Sequence, residues 1–168
     1  MTSTIAAISD AHLGYRHRFR LERLRDYERA FLEAVEKAEQ QNPGLYIFGG
    51  DLLHHAKPNP VAIRTVLRTL LRLAEEAQVV VAIGNHEIEG HLNTTYAPLF
   101  SDANPNIHVL TTEQSKVSLE LAGRKVHVHG FQYLRNRKLA EEELEKCAEN
   151  VAEGVNILCL HQAVEKYL

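Results

Sequence analysis

The chain has 168 residues, 45% of them hydrophobic and 24% charged, with a formal net charge of −3 at pH 7. That length can bury a core without disulfides or a structural metal, and the composition excludes a disordered tail. No apolar run approaches the ~18–20 residues of a membrane helix, and the N-terminus does not read as a signal peptide.

The charge sum carries no global nucleic-acid signature, so the placement of charge matters more. Cys147 and Cys159 lack a metal-ligand spacing and read as small buried hydrophobes. Nothing suggests an oxidising compartment, so an intracellular location is expected, cytoplasmic or, in a eukaryote, nuclear, with no membrane partner. The unusual count is histidine, ten against two cysteines. It points toward metal chemistry with nitrogen and oxygen ligands.

In chain order, Ile5–Ser9 predicts a short buried strand. Leu24, Tyr27, Phe31, Val35 and Ala38 recur at helical spacing, and Asn42-Pro43-Gly44 stops that helix. Leu45–Phe48 predicts a second strand, closed by Gly49-Gly50. Asn59-Pro60 reads as a cap with proline at the first helical position. The helix after it is expected to bury Ile63, Val66, Leu67, Leu70, Leu71 and Ala74. Val79–Ile83 predicts a third strand, ended by Gly84. The period then changes: Val117, Leu119 and Leu121 alternate with polar residues, Ala122-Gly123 turns the chain, and Lys125–His129 alternates again, as in an antiparallel hairpin. Leu139–Val151 predicts an acidic helix and Val155–Leu160 a final buried strand. The class is α/β, one domain over residues 1–168, built first from right-handed βαβ units and then an antiparallel edge.

The chemistry-bearing residues sit where strands end: Asp10-Ala11-His12, Gly49-Gly50-Asp51-Leu52-Leu53-His54, Gly84-Asn85-His86-Glu87 and Leu160-His161-Gln162. Parallel strands bring such loops to one edge, where ligands of open α/β sheets bind. Asp10 and His12 can both turn toward one metal, and the two oxygens of Asp51 can bridge two cations ~3.5–4 Å apart. Asn85 offers a carbonyl oxygen and His161 an imidazole. The glycines before Asp51 and Asn85 permit sharp turns. A mixed imidazole and carboxylate set suits manganese, iron or zinc better than magnesium.

Together these four segments resemble the signature of the calcineurin-like metallophosphoesterases. Within that superfamily, Asp-x-His-Leu-Gly, the histidine three residues after Asp51 and the Leu-His-Gln ending resemble the nuclease subunit of double-strand-break repair complexes, the SbcD-type DNA exonucleases. The resemblance implies an αββα sandwich, two divalent metals (usually manganese) and phosphodiester hydrolysis. It places the first metal on Asp10 and His12, the bridge on Asp51, and the second metal on Asn85 and His161. It makes His86 the acid or charge stabiliser near the leaving oxygen and gives His54 a phosphate or nucleotide contact, while His55 reads as a surface residue. It further implies DNA as substrate, a homodimer, and a coiled-coil ATPase partner of the SbcC type that docks mainly beyond the nuclease core.

The family pattern continues with a Gly-His-x-His motif whose imidazoles complete both metal sites, and these 168 residues contain none. The expectation is a sandwich short of part of its second sheet, with weak metal binding and impaired activity. Two other readings stand beside the nuclease: a general metallophosphoesterase acting on phosphomonoesters or cyclic nucleotides, and an inert piece with a folding or dimer-contact role.

Among the other histidines, His129 ends a strand as the site loops do, although a half-exposed hairpin residue like His127 is the plainer expectation. His91 and His108 read as incidental. His17 lies among Arg16, Arg18, Arg20, Arg23 and Arg25, which read equally as DNA-backbone contacts or a solvated helix start. Arg64, Arg68 and Arg72 form a stripe that reads as a solvated face. Leu92, Tyr96, Leu99 and Phe100 read as either core or dimer contact.

Overall fold

The computed structural model describes residues 3–16, 20–89 and 95–163. Strands β1 (Ile5–Ile8), β2 (Leu45–Phe48), β3 (Gln78–Val81) and β4 (Ile107–Val109) form a parallel sheet in the order β1-β2-β3-β4. Strands β5 (Lys116–Leu121), β6 (Arg124–His129) and β7 (Val155–Leu158) form a second sheet. In it β5 and β6 pair antiparallel and β6 and β7 parallel. Helices α1 (Leu21–Glu39) and α2 (Pro60–Ala74) link the first three strands, and a short α3 (Pro98–Ala103) precedes β4. Helix α4 (Arg137–Glu149) is the crossover between β6 and β7. No helix among the described residues is long and apolar enough to cross a membrane.

The two central strands are apolar at every position but Gln78, at the start of β3, because each of their faces meets a different core. Tyr46, Phe48, Val79 and Val81 pack against Phe31 and Val35 of α1 and Val66, Leu70 and Leu73 of α2. Their neighbours Leu45, Ile47, Val80 and Ala82 point the other way and pack against Val117, Leu121, Val126 and Val128 of the second sheet. A parallel crossover must lay its helix on one face of its sheet. Within α4, which crosses between the parallel strands β6 and β7, only Cys147 is buried.

The expected turns and caps are present. Asn59 Oδ1 accepts the Ala62 N–H at 2.9 Å with Pro60 in the first helical turn. Ala122 and Gly123 both have positive φ, the two-residue hairpin geometry that matches strand twist.

Four expectations are corrected. Strand β7 is the outer strand of its sheet, not a buried one: Val155 is 42% and Leu158 53% exposed. Strand β1, likewise at a sheet edge, buries Ala6 and Ile8 only in part and leaves Ile5 36% exposed. Strand β4 and α3 are additions that periodicity did not indicate. His127 and His129 are buried, not half-exposed. Ser118 Oγ and the Glu153 carbonyl flank the His127 ring, and His129 Nε2 meets Asn156 Oδ1 at 3.0 Å.

Candidate metal centre

The parallel pairing of β1 and β2 continues past the strands and carries the first two motifs to one edge. The Asp10 N–H donates to the Gly50 carbonyl at 3.1 Å, that of His12 to Asp51 at 2.8 Å and that of Leu13 to Leu52 at 2.8 Å. The His54 N–H returns to the Leu13 carbonyl at 3.0 Å. Along this seam Asp10, His12 and Asp51 take φ values of 57°, 46° and 52°, in the left-handed region. Non-glycine residues there cost about 1–3 kcal/mol each. The strain along this seam is concentrated on candidate ligands.

Asp51 is the hub. Its carboxylate is 3% exposed, and Oδ1 accepts the His86 N–H at 3.0 Å. Three imidazole nitrogens surround Oδ2: His161 Nε2 at 3.4 Å, His12 Nε2 at 3.7 Å and His86 Nε2 at 4.0 Å. Burial alone pushes the Asp51 carboxyl up, but the His161 ring, the His86 N–H and nearby imidazole charge together hold it below the usual range. Gly84 lies against this carboxylate, and any Cβ there would run into it.

His161 arrives from the chain just beyond β7. Its Nδ1 donates to the Gly49 carbonyl at 2.9 Å, which turns Nε2 toward Asp51. A carbonyl partner on the distal nitrogen is the usual support for a metal-ligating histidine. Gly50, at φ +101°, passes directly under this ring, and a Cβ there would stand 2.5 Å from Nδ1. Gln162 steadies the approach by pairing its amide with both backbone groups of Leu134, at 3.3 and 2.6 Å.

His54 and His86 complete the cluster. His86 Nδ1 donates to the His54 carbonyl at 3.0 Å, leaving Nε2 toward Asp51, and His54 Nδ1 meets His12 Nδ1 at 3.1 Å. Burial, then the neighbouring rings of His86, His55 and His12, lower the His54 pKa to about 4. It is therefore neutral at physiological pH and shares one proton with His12 across the two Nδ1 atoms.

One functional residue was missed by the sequence reading. Glu87, buried at 5% exposure, accepts the N–H groups of Asp51 and Gly84 on Oε2, each at 3.0 Å, and that of Leu53 on Oε1 at 3.1 Å. It ties the Asp51 loop to the Gly84-Asn85 loop. Burial pushes its carboxyl up to about 7, against the pull of the Gly84 and Leu53 N–H groups. Its signal in the sequence was its place in Gly-Asn-His-Glu, which was read only for ligands.

Asp10, His12, Asp51, His54, His86 and His161 thus converge. Asn85 opens the short 3-10 helix Asn85–Glu87 at the same edge and is exposed. His55 is exposed, with its ring 4.6 Å from that of His54. His129 remains in the second sheet, bonded to Asn156, and His108 bonds Gln78 across the first sheet at 2.8 Å. Both cysteines are free and buried, and burial raises the Cys159 thiol to about 11. Of the arginine cluster, Arg16, Arg20, Arg23 and Arg25 are exposed, with Arg23 bonded to Asp26. Arg64 and Arg68 are exposed as expected, while Arg72 pairs with Glu39. Phe100 is core at 1% exposure, whereas Leu99 is 53% exposed. His17, Arg18, His91 and Leu92 lie outside the described residues.

The donor set fits divalent cations. The three residues Asp10, His12 and Asp51 each bring one ligand atom within 4.8 Å of the others. A carboxylate faced by three imidazole nitrogens, two of them fixed through their distal nitrogen, is the chemistry of a nitrogen-and-oxygen metal site. The pH dependence follows from His161. Its contact with Asp51, opposed by burial and helped by the Gly49 carbonyl, raises its pKa to about 9. In the metal-free protein, while Asp51 is ionised, the raised pKa of His161 contributes stability that is complete below pH 6.5 and is lost as pH rises through about 9. A cation must displace that proton, so apparent affinity is expected to rise up to about tenfold per pH unit between pH 7 and 9. Calorimetry in buffers of different ionisation enthalpy reads the released proton, and a pH-independent affinity over that window would refute the assignment.

An α/β sandwich that gathers two aspartates and four histidines at the carboxyl edge of its strands has the architecture of a metallophosphoesterase core. The chain belongs to the calcineurin-like phosphoesterase family, whose model matches residues 3–166. Two proteins named DNA double-strand break repair protein Mre11 are each 28% identical to it. The one from Methanocaldococcus jannaschii aligns over 96% of this chain and 44% of its own length, and the one from Thermoplasma acidophilum over 95% and 43%. The protein of that name from Archaeoglobus fulgidus is 36% identical over 83 residues, 49% of this chain and 19% of its own length. The chain therefore spans less than half the length of these relatives.

Proposed function

We propose that this chain is the core of a DNA nuclease that hydrolyses phosphodiester bonds with two divalent cations in the repair of double-strand breaks. The observation that carries the reading is the convergence of His12, His86 and His161 on one buried oxygen of Asp51. The similarity to proteins named for double-strand break repair directs it to DNA.

In this reading Asp10 and His12 hold the first cation, Asp51 bridges, and Asn85 and His161 hold the second. The four imidazoles at the site favour manganese over magnesium. Bound there, the cations supply charge neutralisation at the phosphate and activation of the attacking water. The residues do the rest. Asp51, pinned through Oδ1 by the His86 N–H, keeps Oδ2 directed inward. His86, anchored through Nδ1, presents Nε2 to the substrate and in its imidazolium form gives a proton to the leaving oxygen. His54, neutral, donates to a phosphate oxygen from Nε2 in the tautomer in which its Nδ1 accepts from His12. Exposed Arg16, Arg20 and Arg25 offer sequence-independent phosphate contacts. A second copy of the chain and a coiled-coil ATPase of the SbcC type are the proposed partners.

The proposed ligand set within these residues is short of one imidazole per cation, so loading is expected to need cation in large excess. The test compares linear double-stranded DNA with p-nitrophenyl phosphate in excess manganese. DNA cleavage supports the nuclease. Monoester turnover without DNA cleavage favours a general phosphoesterase, and no turnover of either favours an inert piece.

A further inference from the structure

His12, His54 and His86 form a second group of candidate ligands beside the carboxylates. One nitrogen of each lies within 4.8 Å of the other two. The ring centroids are 5.1 Å apart for His12 and His54, 5.0 Å for His12 and His86, and 4.6 Å for His54 and His86. Nitrogens held at ~2.0–2.1 Å by a tetrahedral zinc ion stand roughly 3.3 Å from one another. His12 Nδ1 and His54 Nδ1 are near that spacing already, at 3.1 Å. His86 spends its Nδ1 proton on the His54 carbonyl, which leaves Nε2 with a free lone pair. The stacked rings of His54 and His86, inclined at 23°, must splay to aim both nitrogens at one point. Both rings are only partly buried.

His12 belongs to both groups, and it presents one nitrogen to the carboxylates and the other to His54. Nε2 lies 3.8 Å from Asp10 Oδ1 and 3.7 Å from Asp51 Oδ2, whereas Nδ1 faces His54. A neutral imidazole has one lone pair and one N–H, so His12 ligates on one side at a time. With Nε2 ligating, Nδ1–H donates to His54. With Nδ1 ligating, Nε2 carries the proton, points it at the carboxylates, and is lost to a cation there. The two sides also differ in taste: an all-imidazole set suits zinc, and a carboxylate-rich set suits manganese.

We propose that His12, His54 and His86 form a zinc site that excludes the carboxylate-side cation by taking His12, making zinc an antagonist of this centre. The proposal goes beyond the nuclease reading and uses it only for the assignment of His12. The experiment titrates the metal-free full chain with zinc alone and manganese alone, then with manganese after zinc loading. His54→Gln and His86→Gln are each expected to weaken zinc binding about tenfold or more. The same variants should change manganese affinity by less than that. Zinc loading is expected to remove one equivalent of manganese uptake. Cobalt in place of zinc should give the intense visible bands of a tetrahedral ion in the wild-type chain, a readout independent of how either variant folds. Unchanged zinc affinity in both variants, full manganese uptake by the zinc-loaded protein, or an octahedral cobalt spectrum would each overturn it.

Discussion

Replacing Asp51 by asparagine is expected to abolish manganese-dependent hydrolysis, with a loss of about 10³-fold or more. Asparagine has nearly the same shape, and its carbonyl can still accept the His86 N–H that Oδ1 accepts now. What it removes is the negative charge at Oδ2, where the nitrogens of His161, His12 and His86 converge. An amide nitrogen there has no lone pair for a cation. Single charge-stabilising groups in active sites are worth ~10²–10³ in rate, and a carboxylate shared by two cations serves both. Without its partner, His161 also returns toward an ordinary imidazole pKa, so the pH dependence of cation uptake should shift to lower pH. Steady-state cleavage at saturating manganese measures the first effect, and a variant within tenfold of the wild-type rate would remove Asp51 from the centre.

Glu87→Leu is expected to cost about 3–5 kcal/mol of stability although it touches no proposed ligand. The substitution leaves the N–H groups of Asp51, Leu53 and Gly84 buried without acceptors. An orphaned buried donor costs about 1–3 kcal/mol, and three sharing one site are not fully additive. Glu87→Gln keeps one acceptor oxygen and should fall between. Chemical denaturation checks both. Because Glu87 joins the loops that carry Asp51 and Asn85, cation affinity should fall in Glu87→Gln even at temperatures where it remains folded. A stability loss below about 1 kcal/mol for the leucine variant would mean that the loops find other acceptors.

Much of the centre was legible because each candidate ligand directly follows an apolar run that can only be a strand. A strand buried on both faces leaves no choice about where its end emerges, and parallel pairing sets the ends of β1, β2 and β3 along one edge. The misses have physical causes. Strand β4 is three residues with a histidine at its centre, too short to show a period, and it is defined by pairing with β3 rather than by its own pattern. Val155–Leu160 is as apolar as β3, but β7 is the outer strand of its sheet. Position in the sheet, which composition does not encode, decides its exposure. His127 and His129 looked like hairpin surface because alternation marks one face as polar. Ser118, the Glu153 carbonyl and the Asn156 amide meet the two rings on that face. The role of Glu87 was not legible because it acts on backbone groups, and a backbone N–H has no signature in sequence.

Anomalous diffraction at the manganese edge, from crystals of the wild-type chain soaked in excess manganese, tests the account most directly. Two peaks roughly 3.5–4 Å apart are expected on either side of the Asp51 carboxylate, one toward Asp10 and His12 and the other toward Asn85 and His161. Manganese bound elsewhere, or a single ion that does not touch Asp51, would contradict it.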